Sequence, residues 1–219
     1  MLQLNGVKLH WLGHDGYKIT VQDKINIYID PYQISRSHHN KKDADIVLIS
    51  HNHSDHLSID DLKQVVSNNT TVVAATECIE QLKDISPAET REVAPGDKIS
   101  IHDITIETVP AYNTNKHFHP KADGKVGFVI ALNNMRIYHT GDTDDIPEMS
   151  TTKPDIALVP VSGTYVMTAE EAAKAVNEKI KPKKVAVPMH YGSIVGSEKD
   201  AAKFKDLVTA CPVQILEKE

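Results

Sequence analysis

The segment His51–His56 (HNHSDH) gathers side chains that can bind metal ions. Three histidines and one aspartate fall within six residues, directly after the apolar run Ile46–Ile49. Imidazole and carboxylate are the groups that zinc and its first-row neighbours use where thiolates are absent. Side chains packed this closely cannot all reach one tetrahedral ion, so the spacing indicates two ions that share the loop. The alternative is a polar loop that is rich in histidine by chance, but polar groups clustered after a buried strand need partners, which favours the metal site.

Three further apolar runs end in a residue that can bind a metal or orient a ligand. These residues are Asp30, Asp142 and His190. In open α/β sheets, ligands bind beyond the ends of the strands. If the strands share a sheet, their ends converge on one cleft, and the metal site is assembled from the whole fold.

The elements that must position these residues are short strands with helices between them. Runs rich in β-branched residues, bounded by turn residues, predict twelve strands. They are Lys8–Leu12, Tyr17–Val21, Ile25–Ile29, Asp45–Ser50, Thr71–Ala75, Lys98–His102, Ile104–Val109, Val126–Leu132, Arg136–His139, Ile156–Val159, Lys184–Val187 and Val213–Leu216. Two hairpins are expected, with turns at Gln22–Lys24 and Asn133–Asn134.

Four helices are predicted from capping signals and amphipathic spacing. Ser58 caps the first of them, Ile59–Val66. Thr168 and Glu171 form a capping box that opens a helix to about Ile180. The other two are Glu77–Leu82 and Lys199–Leu207. Many strands with helices interspersed are typical of an α/β sandwich with a mixed sheet, and a chain of 219 residues without linkers or repeats predicts one domain over residues 1–219.

Composition narrows the class of protein. With 30 acidic and 24 basic residues the net charge is −6, which argues against a general binder of nucleic-acid backbones. Cys78 and Cys211 form no CxxC pair, which argues against a disulfide framework and a thiolate zinc site. No apolar run approaches the roughly 18 residues of a membrane span, and no signal pattern begins the sequence. We therefore expect a cytoplasmic protein without a nucleic-acid or membrane partner; the sequence predicts no oligomeric state.

The sequence resembles the metallo-β-lactamase-fold metallohydrolases in three motifs that follow one another along the chain. They are the HxHxDH box at His51–His56, the Gly-Asp pair at Gly141–Asp142 and the late His190. The resemblance extends from about Leu9 to about Leu216. The details Leu12-Gly13-His14, Ile29-Asp30-Pro31 and Pro188-Met189-His190-Tyr191 are most similar to a bacterial and archaeal branch of metal-dependent hydrolases that is related to the ascorbate-phosphate lactonases. The implied fold is a four-layer αββα sandwich with two mixed sheets.

The resemblance also implies roles for the motif residues. The implied ligands of a first metal ion are His51 and His53, and those of a second are Asp55, His56 and His190. Asp142 matches the carboxylate that bridges both ions. Asp30 matches a carboxylate that orients the ligand histidines. The implied cofactor is a pair of divalent ions, with zinc expected first and manganese or iron as alternatives, because these ligands suit all three metals.

One ligand of this family is missing from the sequence. Where the family has a histidine after a middle strand, this chain has Asn113, whose amide oxygen is a much weaker zinc ligand than imidazole. His117 and His119 follow closely. We hypothesise that His119, or failing that His117, is the substitute third ligand; the alternative is that both are loop histidines that face solvent.

The family resemblance implies hydrolysis. Two metal ions lower the pKa of a bound water to roughly 7, so that a metal-bound hydroxide attacks an ester, lactone or phosphoester of a small, anionic substrate. Asp55 is expected to orient or deprotonate the attacking water. Tyr165, His14 or His119 is the candidate donor of the proton to the leaving group.

Two other functions stay open at this stage. Without its usual third histidine, the chain could be a degenerate family member that binds metal or a metabolite as a sensor without turnover. Against this, Asp55, Asp142 and His190 are all present, and a protein without turnover has little physical reason to keep so costly a cluster of charges. A redox role for a di-iron site is a weaker alternative, because it needs more carboxylate ligands than the sequence offers.

Overall fold

The computed structural model describes residues 1–219, and its contacts divide the chain into two compact units. One unit comprises Met1–Ala94 together with Leu216–Glu219, and the other comprises Pro95–Ile215. Each unit is built around one β-sheet. The expectation of a single domain stays a prediction. No helix of the structure is both long enough and apolar enough to cross a bilayer.

The first unit contains a sheet of seven strands whose spatial order follows the chain. The strands are β1 (Leu2–Leu4), β2 (Val7–Gly13), β3 (Gly16–Val21), β4 (Ile25–Ile29), β5 (Ile46–Ile49), β6 (Thr71–Ala75) and β7 (Glu89–Val93). Strands β1 to β4 pair antiparallel and β4 to β7 pair parallel, so the sheet is mixed, as expected. Every residue of β5 is buried, which explains its uninterrupted apolar sequence.

Helix α1 (Ile59–Val65) and two 3₁₀ segments complete this unit. The Ser58 side chain accepts from the backbone N–H of Asp61, which confirms the predicted cap. The segment Thr76–Asp84, predicted as an α-helix at Glu77–Leu82, is a 3₁₀ helix. The other 3₁₀ turn is Arg36–His38.

The second unit contains a sheet of six strands with the order β13-β12-β11-β10-β9-β8. The strands are β8 (Lys98–Ile101), β9 (Ile104–Pro110), β10 (Val126–Leu132), β11 (Met135–His139), β12 (Ile156–Pro160) and β13 (Val185–Met189). Strands β8 to β11 pair antiparallel, whereas β11, β12 and β13 pair parallel. Parallel pairing brings the carboxyl ends of β11, β12 and β13 to one edge of the sheet.

The helices of this unit are α2 (Ala169–Ala175), which continues as a π-helical turn over Val176–Ile180, and α3 (Glu198–Leu207). The capping box of Thr168 and Glu171 is present at the start of α2. Short 3₁₀ segments lie at Lys121–Asp123 and Pro147–Thr151.

One predicted strand is absent from the structure, and two observed strands were not predicted. The predicted strand Val213–Leu216 is wrong, because only one bridge forms there, between Val213 and Ala186. Strands β1 and β7 were not predicted. The short β1 has only three residues, and β7 (ETREV) is an edge strand whose mostly charged or polar sequence lacks the apolar alternation of a buried strand.

Candidate metal centre

The histidine box of the first unit lies at the carboxyl end of β5, next to the end of β4. These two strands pair in parallel, so Asp30 after β4 and His51 after β5 begin at the same edge of the sheet. The Asp30 carboxylate is fully buried and accepts from the backbone N–H of Ser50 at 2.8 Å. The backbone of Asp30 has a φ of +39°, a strained conformation for a non-glycine residue of the kind that clusters at functional sites.

Hydrogen bonds orient the imidazoles of this box through their Nδ1 atoms. His56 Nδ1 donates to Asp30 Oδ2 at 2.9 Å, in the arrangement expected of Asp30. Ser50 Oγ donates its single proton to the same carboxylate and accepts from His51 Nδ1 at 3.0 Å. These hydrogen bonds at Nδ1 fix the tautomer and leave Nε2 of both rings as the nitrogen that is available to a metal ion.

His14 lies beside this box, on the turn between β2 and β3. Its Nε2 is 3.0 Å from Asp55 Oδ2, and the ligand atoms of His14, Asp55 and His56 lie within 4.8 Å of one another. The Trp11 indole N–H donates to the carbonyl of His14 and holds the turn. His14 therefore lies against Asp55, whereas His53 is exposed and stacks edge-on against His51 with 4.6 Å between the ring centroids.

In the second unit, Asp142 lies between two histidines. Its Oδ2 atom is 3.6 Å from His119 Nε2 and 3.3 Å from His190 Nε2. All three side chains are buried, with 3% or less of each exposed. His190 follows β13 and its Nδ1 is 2.9 Å from Ser162 Oγ, so Nε2 again faces the carboxylate. A buried carboxylate flanked by two imidazole Nε2 atoms is a donor set that suits a divalent metal ion.

The loop after β9 separates the two candidates for the missing ligand. His119 is buried and lies beside Asp142, whereas His117 is exposed. Asn113, which stands where the family has a histidine, forms hydrogen bonds within the loop region. Its Nδ2 donates to the carbonyls of Phe118 at 2.9 Å and Tyr165 at 2.7 Å. Its backbone N–H donates to the carbonyl of His119 at 2.8 Å. Asn113 therefore holds His119 in place from both its side chain and its backbone.

Tyr165, the other predicted proton donor, is half-buried on the loop between β12 and α2. Its ring meets Phe118 edge-to-face, with 4.8 Å between centroids and an interplanar angle of 89°. Tyr191, directly after His190, is buried, and burial raises its pKa to about 12, so its phenol is neutral at pH 7.

Sequence reasoning missed three polar residues around these clusters. Asp15 is fully buried and has a carboxylate oxygen 4.0 Å from His56 Nδ1. Ser162 orients His190, and Asp144 anchors the loop of His119 by accepting from the backbone N–H of Thr114 at 2.7 Å. An aspartate within a Gly-His-Asp-Gly turn was a possible signal for Asp15, but an isolated serine or a second aspartate after Asp142 has no distinctive pattern.

The residues present fit divalent metal ions. Each unit presents buried imidazole Nε2 atoms next to a carboxylate, and in each unit a hydroxyl or carboxylate holds the opposite nitrogen of a ring. Such outer partners are what metal-binding histidines require. Burying this many ionisable groups is costly unless they are paired or coordinate a metal.

Comparison with known proteins identifies the family. Residues 8–190 match the model of the β-lactamase superfamily domain. A UPF0173 metal-dependent hydrolase of Methanopyrus kandleri is 31% identical, over 91% of this chain and 90% of its own. The crystal structure of a candidate metal-dependent hydrolase from Parabacteroides distasonis superposes with a TM-score of 0.83 at 31% identity, covering 97% of this chain and 94% of that one.

The fold is found in more distant proteins as well. A metallo hydrolase from Ignicoccus hospitalis matches with a TM-score of 0.76 at 23% identity, covering 97% of this chain and 95% of that one. This likeness supports the fold alone. The expected fold class, the α/β sandwich of the metallo-β-lactamase fold, is confirmed by the family match and the structural neighbours. The chain belongs to the metallo-β-lactamase-fold family of metal-dependent hydrolases.

Proposed function

We propose that this chain is a dinuclear metal-dependent hydrolase. In this proposal His51, His53 and His119 hold one ion, Asp55, His56 and His190 hold the other, and Asp142 binds both. Each cluster by itself offers too few ligands for two ions, since the second unit contributes one carboxylate and two imidazoles. Family membership supports this ligand set.

The observation that carries the proposal is the position of Asp142 between His119 and His190. The two Nε2 atoms lie 3.6 Å and 3.3 Å from the same carboxylate oxygen. A carboxylate that serves two ions must face ligands of both, and Asp142 faces one imidazole from each proposed set. The same observation favours His119 over the exposed His117 as the substitute for the absent histidine.

When bound, the two ions lower the pKa of a water molecule to roughly 7 and polarise the bond under attack. Asp55 would orient this water and accept its proton. Because His14 Nε2 lies 3.0 Å from Asp55 Oδ2, a proton held by Asp55 can pass to His14, which becomes the first candidate donor to the leaving group. Tyr165 is the second candidate, placed on the other unit.

The proposed substrate is a small, anionic ester, lactone or phosphoester. The family analogy leaves open which of these bonds is cleaved. Zinc is the proposed metal because imidazole dominates the ligand set, with manganese and iron as alternatives.

Metal content and turnover of the same preparation test this proposal. Elemental analysis of protein purified without chelator should give two ions per chain, and a panel of phosphodiester, lactone and ester dyes with added Zn²⁺ or Mn²⁺ should show turnover that Asp55→Ala abolishes. Asp60→Ala, an exposed carboxylate on α1, serves as the matched control. Two ions without turnover on any dye would favour the sensor. No metal after zinc is supplied would contradict the hydrolase and leave the metabolite-binding sensor as the favoured function.

A further inference from the structure

Phe118 is an exposed aromatic residue next to a proposed metal ligand. Half of its surface, 50%, is accessible to solvent, while its neighbour His119 in the chain is 3% exposed. Isolated apolar residues on a surface need no explanation. Phe118 differs because it directly precedes, in the chain, the residue that faces Asp142.

The backbone that carries this ring is held on both sides. Asn113 binds the carbonyl of Phe118 at 2.9 Å through its side chain and the carbonyl of His119 at 2.8 Å through its backbone. Asp144, itself buried, accepts from the N–H groups of Thr114 at 2.7 Å and Asn115 at 3.3 Å and also binds Lys116. The loop is therefore ordered by contacts that do not involve the Phe118 ring.

Tyr165 completes an aromatic pair with Phe118. The two rings meet edge-to-face at 4.8 Å between centroids, the geometry that aromatic pairs prefer. The same Asn113 Nδ2 that binds Phe118 donates to the carbonyl of Tyr165 at 2.7 Å. Asn113 thus holds the backbone of both aromatic residues through its side chain and the backbone of His119 through its own N–H.

We propose that Phe118 and Tyr165 form a specificity wall that receives an apolar, preferably aryl, group of the substrate next to the bond that is cleaved. This inference rests on the proposed function and adds the substrate class: an anionic ester or phosphoester with an aromatic group on the part that stays near the wall. Because the aromatic pair is ordered before substrate binds, the two rings lose little conformational freedom when substrate contacts them. The apolar area that is buried then contributes to binding. The wall acts through contact with the apolar group of the substrate.

Binding of two phosphonates to the zinc-loaded protein tests the wall without requiring turnover. Phenylphosphonate and methylphosphonate carry the same anionic group and differ only in the apolar substituent. Titration calorimetry should show that phenylphosphonate binds about tenfold more tightly, because part of the added apolar area is buried. Phe118→Ala should reduce the preference to within about twofold, while Phe118→Leu should retain part of it.

Two controls accompany these variants. Leu207→Ala removes an exposed apolar side chain of α3, 41% accessible, and should leave the preference unchanged. Elemental analysis of Phe118→Ala should show unaltered metal content, which establishes that His119 has not moved. Equal affinity of the native protein for both phosphonates, or absence of binding of either, would overturn the wall.

Kinetics with matched phosphodiesters separates the wall from the proposed reaction. Phenyl 4-nitrophenyl phosphate and methyl 4-nitrophenyl phosphate release the same leaving group, so the ratio of their kcat/KM values reports the retained group. We expect a ratio of about ten that falls in Phe118→Ala. If Phe118→Ala removes the preference for phenylphosphonate, the wall is supported even when neither diester is hydrolysed. Absence of diester hydrolysis would count only against phosphodiesters as substrates. A ratio near one would overturn the wall while leaving hydrolysis intact.

Discussion

At the scale of single residues, the site depends on which ring nitrogen of each histidine forms a hydrogen bond with a neighbouring side chain. Asp30, Ser50 and Ser162 engage Nδ1 atoms, and this selects Nε2 as the nitrogen that can bind metal. These partners are separated in sequence from most of the rings they orient, so each is a point where one substitution can alter metal affinity without removing a ligand.

Replacing His119 with alanine tests the substitute ligand. We expect the His119→Ala protein to lose about one metal ion per chain and to lose turnover, because the carboxylate of Asp142 then faces one imidazole instead of two. His117→Ala is the matched control, since His117 is exposed on the same loop. Elemental analysis measures the result; equal metal content in both variants would contradict the assignment.

Replacing Asp30 with asparagine tests the orienting carboxylate. Asp30 accepts hydrogen bonds from Ser50 and from His56 Nδ1. The asparagine side chain has an NH₂ group in place of one carboxylate oxygen, and this group cannot accept from either of them. We expect metal affinity to fall about 10–100-fold, the usual cost of losing such a partner. Competition with a zinc-sensitive dye measures the affinity. Asp60→Asn, on the exposed face of α1, should leave it unchanged.

At the scale of elements, the Gly-Asp motif shows why a strand end needs a particular residue. Gly141 has a φ of +64°, and a Cβ there would lie 2.8 Å from the carbonyl oxygen of Val126. Both the left-handed backbone and the close approach of a neighbouring strand exclude a side chain. Glycine therefore allows the chain to pass close to the start of β10 directly before Asp142.

Gly141→Ala should destabilise the protein more than a left-handed backbone alone would. Strain from positive φ costs about 1–2 kcal/mol, and the contact with Val126 adds to it because a backbone oxygen cannot rotate away. Gly124→Ala is the matched control: its φ is +71°, but the nearest atom to an added Cβ lies 4.0 Å away. Urea denaturation of both variants measures the difference, and equal losses would show that close packing at Gly141 is unimportant.

A second element-scale prediction concerns the polar contact that joins β3, β4 and the loop after β4. Asp43 accepts from Lys18 Nζ at 2.6 Å and from the Tyr28 hydroxyl at 2.9 Å. Burial raises the pKa of the Asp43 carboxyl, but these two hydrogen bonds and the charge of Lys18 outweigh burial and hold the pKa below its usual range. The charged form is thus favoured by folding.

The sign of the resulting pH dependence follows from that shift. A depressed pKa contributes stability that is complete above the unfolded value of about 4 and is lost as the pH falls through the folded value. Asp43→Asn should therefore be less stable than the native protein at pH 7, with a difference that shrinks below about pH 4. Denaturation series at several pH values measure it. Asp23→Asn, an exposed surface pair with Lys8, should show no comparable change.

At the scale of the whole molecule, we expect metal binding and folding to be linked. The proposed ligands are far apart in the sequence, so the unfolded chain has no assembled site and the ions would bind the folded state selectively. Binding to the folded state alone stabilises it by about 2.7 kcal/mol when the free metal exceeds its dissociation constant a hundredfold.

Removing metal with a chelator should lower the melting temperature by about 5–10 °C, since 1 kcal/mol corresponds to about 2–4 °C for a chain of this size. Readdition of zinc should restore it. Differential scanning calorimetry in matched buffers measures both steps, and the Asp142→Asn protein should respond less because it lacks the proposed shared ligand. A melting temperature indifferent to chelator in protein that carries two ions would contradict the linkage.

Much of the fold could be predicted because strands with buried residues carry a local signal. Strands such as β4, β6 and β10 begin and end at the predicted residues, since their alternating or continuous apolar patterns report burial. Strand β7 carries charged residues on an edge and gave no such pattern. Val213–Leu216 has the pattern of a strand, but only Val213 pairs with a neighbour, and pairing depends on residues far away in sequence.

The sequence by itself determined the chemical type of the site: a histidine and carboxylate box after one buried strand, with Asp30, Asp142 and His190 after three others. These positions are local, because a strand end and the residue that follows it are neighbours in the chain. Only the tertiary structure showed that His119 is buried beside Asp142 while His117 is exposed, since the loop is shaped by Asp144 and by the carbonyl of Tyr165, 30 and 52 residues from their partners. It also decided that Asp15 is buried beside His56. Hydrogen bonds between distant residues depend on the folded backbone, and no spacing along the chain records them.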